Sequence, residues 1–171
     1  MKTTPLLAAS LLTVALLAGC SKSEPGAAAD AAAFPQTLFV SAIDQAPVPI
    51  AQAQADAKEG DTVVLHGRIG GRKDPFTAGR AVFMLVDTVL QPCVDGCATP
   101  WDYCCDDQAE IAANAATIQV VDASGAVIRS AINGVRGIAP GAEVIVAGAV
   151  ARRDDAANLT VNATQIWVKG N

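Results

Sequence analysis

Apolar and β-branched residues recur in five short runs after Gly60, and the chain before Gly60 lacks that pattern. In residues 62–70, Val63, Leu65 and Ile69 share one face of an extended chain. Gly60-Asp61 precedes the run and Gly70-Gly71 follows it, so it predicts a first strand. Residues 80–87 predict a second strand and residues 116–122 a third. The turn Asp122-Ala123-Ser124-Gly125 then leads into a continuation at 126–129. Residues 130–138 suit a short helix or a loop. Residues 142–152 predict a fourth strand, entered through Pro140-Gly141, and residues 159–168 a fifth. Upstream, residues 49–58 are alanine-rich, with Pro49 near the first turn and Gly60 past the end, and predict a short helix. Residues 34–40 are expected to lie extended on the domain surface.

The first and fourth strands echo each other. When residues 63–74 are laid on 144–155, Gly67 falls on Gly148, Arg72 on Arg153 and Asp74 on Asp155. A glycine inside a strand marks a bend or bulge where a sheet curls. Five strands with bent first and fourth members resemble an OB-fold, and the resemblance runs over residues 60–168. It implies an all-β fold: a five-stranded, OB-fold-like Greek-key barrel, with a long cysteine-rich loop between strands 2 and 3. Residues 36–59 precede the barrel as an extended segment and the short helix.

Residues 1–19 change the picture of where the chain resides. Lys2 gives a positive start, and residues 6–17 are apolar but for Ser10 and Thr13, a run too short for a comfortable membrane span. The run ends in Leu17-Ala18-Gly19-Cys20, which resembles the lipobox of bacterial lipoproteins in all four positions. That resemblance implies cleavage before Cys20, a diacylglyceryl group on its Sγ, and anchoring in the cell envelope. Ser21, rather than an aspartate, implies the outer membrane, facing the periplasm. Residues 20–35 read as a flexible tether.

The formal net charge is −5, and loss of Lys2 with the signal makes it more negative. An acidic chain lacks the cations that neutralise phosphate, which argues against a nucleic-acid partner. The charge is also uneven: no Lys or Arg lies between Arg80 and Arg129, where seven acidic residues fall. At the opposite end, Arg68, Arg72, Lys73 and Arg153 are candidates for a weak anionic-ligand patch.

Four of the five cysteines lie within residues 93–105: Cys93, Cys97, Cys104 and Cys105. With Trp101, Asp102 and Tyr103 they occupy the loop between the second and third strands. The run Cys97-Ala98-Thr99-Pro100-Trp101-Asp102-Tyr103-Cys104-Cys105 is similar to a loop in bacterial envelope proteins with an OB-like domain; the similarity implies a fold and no reaction. Two chemistries suit the cluster. In an exported protein, four cysteines are expected to form two disulfides and staple a recognition loop, with no cofactor. Pairing the neighbours Cys104 and Cys105 is strained, which leaves the two long-range pairings open. The alternative is a zinc or copper site, although C-x3-C-x6-C-C is not the usual pair of C-x2-C steps. Trp101, Asp102 and Tyr103 are candidates for contact with an unknown protein or small ligand, the aromatic pair sharing a face of an extended segment. No catalytic set appears: His66 is the only histidine, and neither G-x-S-x-G, a P-loop nor H-E-x-x-H is present. The chain therefore reads as a binding or structural module rather than an enzyme.

Overall fold

The computed structural model describes residues 33–94, 96–154 and 158–170. The signal segment, the lipobox with Cys20 and most of the tether lie outside the described residues. The strands are β1 (Thr62–Ile69), β2 (Val82–Asp87), β3 (Ala115–Gln119), β4 (Glu143–Asp154) and β5 (Asn158–Val168). They close into a barrel in the order β1-β2-β3-β5-β4, with β4 pairing back onto β1. Only β3 and β5 run parallel. The fold is thus the expected five-stranded, OB-fold-like barrel.

Alternation places the core. Leu65 and Ile69 of β1, Phe83 and Leu85 of β2, Ile118 of β3, Val144 and Val146 of β4, and Val161 and Ile166 of β5 are all fully buried in one cluster. The upstream segment is not confined to the surface as expected. Phe34 and Leu38 enter the same core, and Phe39 forms a bridge beside Ile166. The predicted helix is α1 (Ile50–Asp56). Its own N-cap, Pro49, offers no side-chain acceptor, and the buried Asp87 at the end of β2 serves instead. One Asp87 carboxylate oxygen accepts from the Ile50 N–H at 2.7 Å, the other from the Val89 N–H at 2.9 Å.

Residues 130–138, expected as a short helix or a loop, form a loop with a 3-10 turn, Val135–Gly137. An unexpected helix lies in the cysteine loop, α2 (Gln108–Ala113), where Asp107 caps the start by accepting from the Ala109 N–H at 2.7 Å. No helix among the described residues is long and apolar enough to cross a membrane.

Gly67 and Gly148 sit in β1 and β4, as the echo implied. At Gly148 the β4–β5 register shifts, the mark of a bulge. A Cβ there would run into the Asn162 carbonyl oxygen, and a Cβ at Gly67 would come within 2.5 Å of the Val86 oxygen. Both obstacles are backbone and cannot swing aside. Gly67→Val and Gly148→Val should each lower stability by about 2–4 kcal/mol. Urea denaturation measures this, and a loss below half a kcal/mol at both sites would contradict the close packing.

Glu143 ties the barrel seam together. It lies 2.8 Å from His66 Nε2, 2.7 Å from Lys169 Nζ and 3.4 Å from Arg68 Nη2. The Lys169 ammonium, then the His66 hydrogen bond, hold its carboxyl below the ordinary value of 4.5. A lowered folded-state pKa means that the ionised group stabilises the fold at neutral pH, and that this contribution fades as pH falls below 4.5. Glu143→Gln should therefore cost about 0.5–1 kcal/mol at neutral pH. The gap from wild type should close in acid, as read by denaturation midpoints across that range.

Candidate metal centre

The loop leaves β2 at Asp87 and returns to β3 at Ala115. Its two ends are joined: Val86 pairs with Ala115, and the Asp87 N–H donates to the Asn114 carbonyl at 2.8 Å. Within it, Pro100–Asp102 forms a 3-10 turn, with proline suited to the first position. Tyr103 follows in the left-handed region, at φ 56°. Such a conformation costs a non-glycine residue on the order of 1 kcal/mol. Burial offsets it: the Tyr103 ring is wholly enclosed with Val86, Leu90, Ile111 and Ala115, worth about 2–3 kcal/mol for a large side chain.

This reversal brings distant sulfurs together. The Cys93 N–H donates to the Pro100 carbonyl at 3.1 Å, so the loop folds back on the turn. Cys104 Sγ then lies 3.8 Å from Cys93 Sγ and 4.0 Å from Cys97 Sγ. These three sulfurs and one Asp102 carboxylate oxygen all lie within 4.8 Å of one another. A tetrahedral ion with metal–sulfur bonds of about 2.3 Å has sulfur–sulfur edges of about 3.8 Å. The group therefore has the size of a metal site and can hold an ion.

Asp102 is itself held in place. The Thr99 hydroxyl donates to Oδ2 at 2.6 Å, and the Cys104 N–H donates to Oδ1 at 3.0 Å. These are the outer contacts that orient a ligating carboxylate. They also hold the Asp102 carboxyl below its ordinary range, the Thr99 hydroxyl contributing most. Among the thiols, hydrogen bonding from Cys105 lowers Cys93, while the facing Asp102 carboxylate raises Cys104 strongly. Cys105 is raised chiefly by its hydrogen bond to Cys93; it is exposed and stands outside the group of four.

The two expected disulfides are not formed. Cys93, Cys97, Cys104 and Cys105 are free thiols, and separations of 3.8 and 4.0 Å far exceed the roughly 2.05 Å of a sulfur–sulfur bond. Cys104 lies close to both Cys93 and Cys97, and Cys93 also hydrogen-bonds Cys105, so no sulfur has a single exclusive neighbour.

The aromatic pair is divided. Tyr103 is the buried plug, whereas Trp101 is half-buried and donates its indole N–H to the Lys73 carbonyl at 3.1 Å. The turn and the left-handed residue break the alternation that an extended segment would have kept. Of the proposed basic patch, Arg68 is taken up by Glu143, Arg72 and Lys73 are exposed, and the Arg153 side chain lies outside the described residues. His66 contacts Glu143, and the clustered metal-ligand atoms do not include it. Thr99 was missed as the residue that orients Asp102; its signal was the three-residue spacing, at which a hydroxyl reaches a carboxylate across one turn.

Gly70 is where the loop docks. The Gly71 N–H donates to the Trp101 carbonyl at 2.8 Å, and a Cβ at Gly70 would meet that same carbonyl and approach Tyr103 Cε2 to 3.0 Å. Two buried polar atoms, Tyr103 Oη and Arg68 Nη1, find no hydrogen-bond partner among the described residues. Burial pushes the Tyr103 phenol up, against the pull of the nearby Arg68 cation. No known protein family and no curated protein matches the chain.

Gly70→Ala should displace the loop at a cost of about 1–3 kcal/mol while the five strands persist. The expected signs are faster alkylation of Cys93 and a changed near-ultraviolet signal from Trp101 and Tyr103, with the far-ultraviolet spectrum retained. Unchanged thiol reactivity would show that the docking does not position the cysteines.

Proposed function

We propose that this chain is a lipid-anchored protein of the cell envelope whose barrel presents a metal-binding loop, acting as a binding or structural module rather than an enzyme. The observation that carries the reading is the approach of Cys93, Cys97, Cys104 and Asp102 to within 4.8 Å of one another. Three thiolates and a carboxylate favour zinc over copper(I), because the carboxylate is a hard ligand that a soft ion does not need. Four protein ligands complete a tetrahedron and leave no open position for a reacting water, which suits a structural or carrier role. The lipobox Leu17-Ala18-Gly19-Cys20 supports the anchoring, with Cys20 as the modified residue and the outer membrane as the address.

A second reading rests on the same sulfurs. Cys104 Sγ is near enough to Cys93 Sγ for an oxidant to join them after a modest movement. A bridge of that loop length contributes about 3 kcal/mol through the unfolded state. Metal binding and disulfide formation exclude each other, since both use Cys104.

Elemental analysis and thiol alkylation of protein taken from the envelope without reductant separate the two readings. About one equivalent of zinc should be found, with all four clustered thiols alkylated after chelation. Asp102→Asn should weaken zinc binding at least about tenfold. Thiols blocked in pairs and no metal would overturn the metal reading and leave a stapled loop.

A further inference from the structure

Beside the metal loop a cavity of about 430 Å³ opens where three separate segments meet. Lys73, Phe76 and Arg80 come from the β1–β2 connection, Trp101 from the cysteine loop, and Ile132 and Pro140 from the β3–β4 connection. The walls are firm. The Trp101 indole N–H is already spent on the Lys73 carbonyl, which leaves an apolar ring facing a ligand space. Phe76 packs at 6.1 Å between ring centres against Phe83, a fully buried core residue. Ile132 is likewise fully buried.

The rim carries the opposite sign to the molecule. Among the lining residues Lys73 and Arg80 outnumber Asp74, in a chain of net charge −5, although Asp102 in the neighbouring loop also attracts Lys73. Neither cation has an ion-pair partner within 4 Å among the described residues. A flat apolar wall with two cations at its edge, neither in a direct ion pair, recognises an acid with an aromatic body. Its volume falls in the range of about 300–1,000 Å³ typical of small-molecule sites.

We propose that this cavity is a binding site for a small aromatic anion, such as an aryl carboxylate or sulfonate, with Trp101 and Phe76 against the ring and Lys73 and Arg80 on the acid. The inference does not require a bound metal, because Trp101 is held by the Lys73 carbonyl and the Gly71 N–H and not by the thiols.

The test uses 1-anilinonaphthalene-8-sulfonate and its uncharged analogue N-phenyl-1-naphthylamine, titrated into the full chain. The sulfonate should bind more tightly than the neutral ring. The Lys73→Gln/Arg80→Gln double variant should lose about tenfold in sulfonate affinity with little change for the neutral probe. Both side chains are exposed, so the variant leaves the core untouched. In a Trp167→Phe background Trp101 is the only tryptophan, and its emission should fall as the sulfonate binds. Equal affinity of wild type and double variant for the sulfonate, preference for the neutral probe, or Trp101 emission that does not respond would each overturn the proposal.

Discussion

The close approach of the Tyr103 ring and the Trp101 carbonyl to Gly70 seats the cysteine loop on the barrel. Gly70 has no side chain, so the loop backbone lies directly on the end of β1, and the Trp101 carbonyl takes the Gly71 N–H. With the ring enclosed, Trp101 and Asp102 on one side and Cys104 on the other have little freedom left. The metal-sized cluster and the aromatic wall of the cavity are two consequences of one docking event. Barrel packing supplies the floor beneath it, since Val86 and Ala115 close the Tyr103 pocket while pairing with each other in the sheet.

Why so long an excursion is tolerated between β2 and β3 follows from where it begins and ends. The two strands are antiparallel neighbours, and the ladder already brings residues 86 and 115 together. Extending a loop whose ends are joined adds little closure entropy, because that cost grows only with the logarithm of length. The loop then brings its own small core, with Leu90, Tyr103 and Ile111, and its own capped helix. Asp87 links this region to the upstream chain by capping α1 from the end of β2. The segment before the barrel is therefore bound to the base of the cysteine loop as well as to the core.

The barrel was legible because its signals are periodic. Val63, Leu65 and Ile69 alternate in the sequence and are buried in the fold, and the glycines at 67 and 148 fall where backbones come too close for a Cβ. The short α2 was also written in the chain, as Asp107 three residues before Glu110, a start signal weak enough to be lost beside four cysteines. The split between Trp101 and Tyr103 was not legible, because it depends on a left-handed residue that the sequence does not announce. Nor was the approach of Cys104 to both Cys93 and Cys97. Cysteine count and compartment speak to whether sulfurs meet; only the fold decides whether they meet in pairs or around a point. Asp102 shows the same gap: it reads as a surface acid in sequence and stands among three sulfurs in space.

The docked loop also bears on which chemistry the sulfurs adopt. A tetrahedral ion asks for little movement, because the present separations of 3.8 and 4.0 Å already match its edges. A disulfide asks Cys104 to close to about 2.05 Å on a single partner. Cys104 directly follows Tyr103, whose ring cannot shift without leaving its pocket, and the Cys104 N–H is tied to Asp102. Rotation of the two cysteine side chains is the movement that would supply that approach. The same contact thus holds the thiols at separations that suit a shared ion, the geometry on which the metal reading rests.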